Sequence, residues 1–180
     1  MAIKGAVLGD ILGSQYEFNR PKNLDWQNIP LIIDDKAKFT DDSVMMLAIK
    51  KALLEDNDLV ETMVDVGQQY PFCGYGAKFF SWINGKKHQP YNSCGNGSAM
   101  RVAFVGDFYE DYDEMQARAA KTAEVSHNHP EGIKGAVVTA TCIWMAKRGR
   151  SKQEIYDYVL SEYPVDLYKY SIGNSLDDIR

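Results

Sequence analysis

Residues 39–56 read FTDDSVMMLAIKKALLED, and this stretch predicts both a helix and a polar site at its start. Val44, Leu47 and Ala48 recur at the spacing that places apolar side chains on one face of a helix. Directly before them, residues 40–43 read TDDS, and Thr, Asp and Ser are preferred helix N-caps. The sequence therefore predicts a buried helix that begins at an acidic end.

Two interpretations of this acidic end stay open from the residues alone. A single side-chain oxygen is enough to cap a helix, and the helix dipole favours acids near an N-terminus. Two adjacent carboxylates, Asp41 and Asp42, repel each other unless a cation or hydrogen-bond donors offset their charge. Hard oxygen ligands suit Mg²⁺, Mn²⁺ or Ca²⁺ better than zinc, and the Thr40 hydroxyl would add a further oxygen.

Helical patterns also dominate the rest of the sequence. Residues 113–125 are rich in helix formers and follow Asp residues suited to capping, and residues 132–148 form a long, mostly apolar helix candidate. Ser151 and Glu154 have the spacing of a capping box, for a helix that must end near Pro164. Because no clear strand alternation or internal repeat is present in the sequence, we expect one all-α domain.

Two connecting segments are rich in Gly, Pro, Asn and Ser and are predicted to be structured loops, residues 70–76 and 88–98. In the second, Gly95 and Gly97 bracket Asn96, and a helical pattern resumes directly after them. A glycine-rich turn before a helix N-terminus is a cradle for anions or phosphates. An ordinary helix start fits the same residues, and the spacing of a P-loop is absent from the sequence.

Residues 9–18, GDILGSQYEF, combine glycines with acids. Gly9 and Gly13 are four residues apart, a spacing that permits close helix packing. Asp10 and Glu17 lie within and after an apolar helix, so they need either solvent or a partner. A carboxylate of this kind near a metal-bound water would serve as a general base.

Residues 126–132, SHNHPEG, carry two histidines separated by one residue. No cysteine or third histidine stands close by in the sequence, which argues against zinc at His127 and His129. A polar loop that leads to Pro130, a favoured first helical residue, is the simpler interpretation. His127 would also be suited to line a pocket.

The bulk properties exclude some classes of protein. The 180 residues carry a net charge of −5, which argues against non-specific binding of nucleic acids. The apolar stretches near the start are too short and too interrupted for a membrane span or a signal peptide. Three widely spaced cysteines, without a CxxC pair, predict a reducing, cytoplasmic location.

Taken together and in this order, four stretches resemble the ADP-ribosylglycohydrolase family. They are GAVLGDILGSQYEF at 5–18, FTDDSVMMLA at 39–48, SCGNGSAMRVAFVG at 93–106 and SHNHPEGIKGA at 126–136. The combination is far more specific than any one of the motifs. A local departure is Phe104, where many relatives carry Pro.

The resemblance implies an all-α bundle with a binuclear Mg²⁺ or Mn²⁺ centre that hydrolyses the N- or O-glycosidic bond between C1″ of ADP-ribose and its acceptor. The substrate partner would be an ADP-ribosylated protein or small molecule. The implied metal ligands are Thr40, Asp41 and Asp42, and the implied catalytic residues are Glu17, Asp41 and Asp42. The implied substrate-binding residues are Gly95, Asn96, Gly97, Ser98, Ala99, Met100 and His127.

The family completes its metal centre with a late Asp-x-Asp-Ser/Thr motif, and this sequence has none after residue 136. We therefore expect residues 1–180 to form a single, incomplete domain that carries half of the metal site. The first function that stays open is a metal-dependent hydrolase that removes ADP-ribose from an ADP-ribosylated protein or small molecule. The second is a binding module that holds ADP-ribose without turnover, or a half-enzyme that a second chain or another copy completes. A purely structural relative is the third alternative.

Overall fold

The computed structural model describes residues 2–17 and 35–163, and its regular structure there is entirely helical. The all-α prediction is therefore confirmed for the described residues. In chain order the helices are α1 Ala2–Glu17, α2 Asp41–Glu55, α3 Leu59–Gln69, α4 Ala77–Asn84, α5 Gly97–Met100, α6 Ala103–Phe108, α7 Tyr112–Glu124, α8 Pro130–Lys147 and α9 Lys152–Glu162.

The helix starts that the sequence predicts are confirmed by their capping hydrogen bonds. Thr40 caps α2, and the Asp111 carboxylate caps α7 by accepting from the Glu114 amide at 2.8 Å. Helix α8 begins at Pro130, where the missing amide hydrogen costs nothing. In α9 both hydrogen bonds of the capping box between Ser151 and Glu154 are present. These ends are specified locally, by residues within four positions of each other.

One predicted helical segment is interrupted. The pattern over 98–105 is divided between α5 and α6, because the chain turns at Arg101 and Val102. The Arg101 side chain is fully buried, and its guanidinium donates to the Thr122 carbonyl oxygen of α7. The break therefore accompanies a long-range contact of Arg101, which the local periodicity of the sequence cannot predict.

Helix α2 packs on α1, α3, α5 and α6. Its buried side chains extend around more than one face, and Met45, Ala48 and Ile49 are completely buried. The prediction that Leu47 shares the buried face is wrong, since that side chain is 45% exposed. The reason is that helices on several sides of α2 bury the neighbouring positions and leave the Leu47 direction uncovered.

A close approach between helices occurs at Gly106 and not at the glycines of α1. A Cβ at Gly106 would lie 2.4 Å from the Ala140 carbonyl oxygen, so α6 and α8 are in contact there. A Cβ at Gly9 or Gly13 would have no described atom within 4 Å. The close helix packing that their spacing permits is therefore absent within the part of the chain that the structure describes.

The structure also bears on the sequence expectations about the cysteines, membrane spans and the end of α9. Cys73, Cys94 and Cys142 are all free thiols. None of the helices in the described ranges combines the length and hydrophobicity that a bilayer span needs. Pro164, the predicted stop of α9, lies outside the described residues, and the helix ends two residues earlier, at Glu162. The single-domain boundary at 1–180 stays a prediction.

Candidate functional site

The acidic end of α2 is anchored to α1 by Asp10. Its carboxylate accepts four hydrogen bonds, from the Thr40 amide at 2.8 Å, the Thr40 hydroxyl at 2.6 Å, the Ser43 amide at 3.2 Å and the Ser43 hydroxyl at 2.5 Å. Four donors stabilise the charged form of a carboxylate. Thr40 and Ser43 are therefore the partners that the acid within α1 requires, and these hydrogen bonds hold the first turn of α2 to α1.

The Thr40 hydroxyl is oriented by this arrangement. It donates its hydrogen to Asp10 and accepts a hydrogen bond from the Asp42 amide at 3.3 Å. Since the hydrogen points to Asp10, the remaining lone pair is directed elsewhere. A hydroxyl held in this way is prepared to offer its oxygen to a cation.

Asp41 and Asp42 lie in an electrostatic environment that disfavours their negative charge. Burial raises the pKa of Asp41 to about 6, and the neighbouring charge of Asp42 adds to the shift. Smaller contributions come from Glu17 and Asp10, which shows that the acids of α1 lie near this end of α2. The pKa of Asp42 is also raised, chiefly by burial and then by Asp10. A divalent cation would offset this charge.

The donor chemistry fits a hard cation in part. Thr40, Asp41 and Asp42 would present one hydroxyl and two carboxylates from a single helix start, the oxygen donors that Mg²⁺ and Mn²⁺ prefer. Within residues 2–17 and 35–163, however, no three His, Cys, Asp or Glu side chains converge as they would around a metal. The role of Thr40, Asp41 and Asp42 as metal ligands therefore stays a prediction.

His127 lies in a second polar environment, at the end of α7. Its ring is buried, with the Tyr91 ring centroid at 5.8 Å and the Phe79 centroid at 6.5 Å. Burial lowers the pKa of His127 to about 4, and the positive charge of Arg101 contributes. The imidazole is therefore neutral at physiological pH.

The glycine-rich turn packs directly on this imidazole. A Cβ at Gly97 would lie 2.7 Å from His127 Nε2, so only glycine fits this position without displacement. Helix α5 is held to α8 by the buried Ser98 hydroxyl, which donates to the Gly132 carbonyl oxygen at 2.6 Å. The turn, α5 and His127 thus form one packed unit.

A cleft of about 330 Å³ connects the two environments. Its lining includes Asp41, His127 and the glycine-rich turn. Of the residues implied by the family resemblance, those that line it are Asp41, Gly95, Asn96, Gly97, Met100 and His127. Those outside the described lining are Glu17, Thr40, Asp42, Ser98 and Ala99.

The cleft also contains residues that the sequence reasoning did not single out. They are Gly76, Ala77, Lys78, Phe79, Tyr91, Ser93 and Arg101. Arg101 carried a signal in the sequence, since it is the only charged residue in the apolar run 98–106. The aromatic residues carried none, because Phe79 and Tyr91 reach the cleft from separate segments of the chain.

The fold and the cleft define an all-helical protein whose candidate site joins an acidic helix start to a glycine-rich, histidine-backed turn. A family model described as ADP-ribosylglycohydrolase matches residues 1–179, and the chain belongs to this family. The resemblance seen in the four sequence stretches is thereby confirmed.

Curated relatives agree with this membership. The chain is 29% identical over 183 residues to ADP-ribosylhydrolase ARH3 of Homo sapiens and to that of Mus musculus, with 84% of this chain and 50% of each relative covered. It is 25% identical over 217 residues to ADP-ribosylhydrolase ARH3 of Gallus gallus, covering 99% of this chain and 57% of the relative. The chain spans about half the length of the curated relatives that it matches.

Proposed function

We propose that this chain binds the ADP-ribose part of an ADP-ribosylated protein or small molecule in the cleft and contributes to metal-dependent hydrolysis of its glycosidic bond. One observation carries the proposal. The cleft brings Asp41, the Gly97 turn and His127 into one cavity, although they come from three separate sequence motifs. Family membership supplies the ligand class.

The charge distribution of the cleft suits a diphosphate sugar. The Gly95 amide donates to Ser93 Oγ at 3.3 Å, and the amides of Asn96 and Gly97 in the same turn would be suited to phosphate oxygens. Lys78 is exposed at the cleft wall and supplies a positive charge on the same cavity. The carboxylate of Asp41 lines the same cleft and would favour the positive charge that develops at C1″ during hydrolysis. The cleft thus contains groups suited to both the anionic and the cation-like parts of the substrate.

The metal part of the proposal concerns the start of α2. Thr40, Asp41 and Asp42 would hold Mg²⁺ or Mn²⁺, which when bound polarises water and orients substrate oxygens. Asp10 would keep the Thr40 hydroxyl turned to the cation. Glu17, whose charge contributes to raising the pKa of Asp41, would accept a proton from the attacking water or stabilise the departing group. Thr40, Asp41 and Asp42 would supply only part of the ligand set of such a cation.

A binding module without turnover is the second candidate function. It is favoured by the position of Asp42 and Thr40 outside the described cleft lining, since nucleotide binding at the turn would then not require a cation. The three free thiols are consistent with the expected cytoplasmic compartment for either function.

The two candidates are distinguished by measuring ADP-ribose binding and release in Mg²⁺, in Mn²⁺ and in EDTA. The hydrolase predicts release of ADP-ribose from an ADP-ribosylated protein that stops in EDTA and in Asp41→Asn. The binding module predicts an ADP-ribose affinity that ignores both changes, with no release. Failure to bind ADP-ribose under every condition would refute both.

A further inference from the structure

Arg101 is a buried cation without a matching anion. Its side chain is completely buried, and no carboxylate among the described residues lies within ion-pair distance. Burial lowers its pKa to about 10, so the guanidinium still carries its charge at neutral pH. Taking a charge out of water without a counter-charge is costly. We therefore expect Arg101 to have a role other than packing.

The contacts of Arg101 lead to His127 through Ser126. Arg101 Nη2 donates to the Thr122 carbonyl oxygen at 2.6 Å and to Ser126 Oγ at 2.9 Å. Ser126 Oγ in turn lies 2.8 Å from His127 Nδ1. Ser126 is completely buried, so water does not substitute for these partners.

The direction of the last hydrogen bond follows from counting hydrogens. A serine hydroxyl has one hydrogen to donate, and arginine can only donate. Ser126 Oγ therefore accepts from Arg101, and His127 Nδ1 is the one acceptor that the described residues place within reach of its hydrogen. If Nδ1 carried the hydrogen instead, the Ser126 hydrogen would be buried without an acceptor, at a cost of one unmade hydrogen bond.

We propose that Arg101, acting through Ser126, is a positioning residue that fixes His127 as the neutral tautomer with its hydrogen on Nε2. His127 lines the cleft and its Nε2 lies beside Gly97, so this N–H would serve as a donor to a phosphate or ribose oxygen of a ligand bound at the turn. The ligand part rests on the proposed function, whereas the tautomer belongs to the free protein. The positive charge of Arg101 also opposes protonation of the ring.

The other two histidines provide internal references. His88 Nδ1 lies 2.6 Å from the Trp82 carbonyl oxygen, which only accepts, so His88 carries its hydrogen on Nδ1 when neutral. His129 Nδ1 accepts from the Glu131 amide at 3.1 Å, so the neutral His129 carries its hydrogen on Nε2. The chain thus contains one histidine of each tautomer beside the one in question.

The test is long-range ¹H–¹⁵N correlation spectroscopy of the full chain labelled at histidine nitrogen, at neutral pH and without ligand. The expected result is a single Nε2–H tautomer for His127, with an Nδ1 shift displaced as for a hydrogen-bonded acceptor. In Ser126→Ala the Nδ1 shift should move to that of an unbonded acceptor, while His88 and His129 stay unchanged. A hydrogen on Nδ1 in the wild type, or an Nδ1 shift that Ser126→Ala leaves in place, would overturn the inference.

Binding measurements separate this inference from the proposed function. The ADP-ribose Kd of Ser126→Ala should rise by about two- to tenfold, the range of one neutral hydrogen bond. The matched control is Ser161→Ala on α9, whose exposed hydroxyl donates to the Tyr158 carbonyl oxygen, and its Kd should not change. A wild type with the expected tautomer but no ADP-ribose binding refutes the proposed function alone. Unchanged affinity in Ser126→Ala, with intact binding by the wild type, overturns the positioning role.

Arg101→Lys provides a second variant. Lysine keeps the charge but replaces the planar guanidinium, which reaches two acceptors at once through Nη2, by a point charge. The Ser126 hydroxyl then loses its fixed orientation, and the His127 Nδ1 shift should move partly toward the unbonded value. An unchanged His127 Nδ1 shift in Arg101→Lys would overturn the role of Arg101. If this variant does not fold, the Ser126→Ala spectrum still decides whether Ser126 fixes the tautomer.

Discussion

Replacing Asp41 by Asn should stabilise the metal-free protein at neutral pH. The folded-state pKa of Asp41 is about 6, against an ordinary value of 3.8, because burial and the charge of Asp42 disfavour the carboxylate. Asparagine keeps the size of the side chain and the backbone N–H that donates to the Cys73 carbonyl oxygen at 2.7 Å, but it removes the charge. The variant therefore isolates the electrostatic cost of this position.

The magnitude follows from the shift in pKa. A difference of about 2 units corresponds to roughly 3 kcal/mol of unfolding free energy as an upper value, and partial solvent screening lowers the expectation to about 1–2 kcal/mol. Because the folded-state pKa is raised, the folded protein binds the proton more tightly than the unfolded chain does. The destabilisation is therefore complete above pH 6, declines as the pH falls and is absent below pH 3.8.

The assay is denaturant unfolding in EDTA at pH 7.5, 5 and 3.5, with Asp113→Asn as the matched control. Asp113 is exposed in the first turn of α7, where loss of a charge should change stability by less than about 1 kcal/mol. Added Mg²⁺ should then stabilise the wild type and leave Asp41→Asn unaffected. An Asp41→Asn variant that is no more stable than the wild type at pH 7.5, or that gains equally at pH 3.5, would refute the reasoning.

Three further predictions concern the turn and His127. Gly97→Ala should weaken ADP-ribose binding about tenfold, because the new Cβ would lie 2.7 Å from His127 Nε2; equal affinity would contradict this packing. Gly132→Ala should lower the unfolding free energy by about 1–3 kcal/mol, since its Cβ would meet a backbone oxygen at 2.5 Å. Gly135→Ala is the control for both variants, because its new Cβ would lie 3.9 Å from its nearest neighbour. A loss of similar size in Gly135→Ala would mean that the effect does not come from the close contacts at Gly97 or Gly132. Between pH 6.5 and 4 the unfolded chain protonates His127 and the folded protein does not, because the folded-state pKa of His127 is depressed, so Asp41→Asn should lose up to about 3 kcal/mol of unfolding free energy as the pH falls through this range. The double variant Asp41→Asn/His127→Gln should lack this loss. Parallel curves of unfolding free energy against pH for the single and the double variant would contradict the prediction.

Local signals predicted the starts of α2, α7, α8 and α9. The caps at Thr40, Asp111 and Ser151 each use a side chain and an amide within three residues, so short sequence patterns contain all the required information. The same holds for Pro130 at the first position of α8. Helices α3 and α4 were not predicted, although both are amphipathic.

Contacts between distant segments could not be predicted from such patterns. Asp10 binds Thr40 across 30 residues, and the sequence indicated only that this acid needed some partner. Arg101 turns the chain between α5 and α6 because its acceptors lie on α7 and at Ser126, more than 20 residues later. Charge and burial decide these contacts, and both depend on how the helices pack.

The motifs predicted a set of site residues, and the cleft contains part of this set. The family resemblance indicated Asp41, the glycine-rich turn and His127 as parts of one site, and the cleft contains all three. It did not indicate that Ser98 serves to hold α5 to α8, since the buried hydroxyl bonds to a backbone carbonyl oxygen. The assigned roles of these residues in binding and catalysis stay predictions.

The most direct test of the central claim is isothermal titration of ADP-ribose into the full chain in the presence of Mg²⁺. We predict saturable binding at one site per chain, with the Kd raised at least about fivefold in His127→Ala and unchanged in Gly135→Ala. Absence of binding by the wild type, or equal affinity in His127→Ala, would contradict the claim that this cleft holds ADP-ribose.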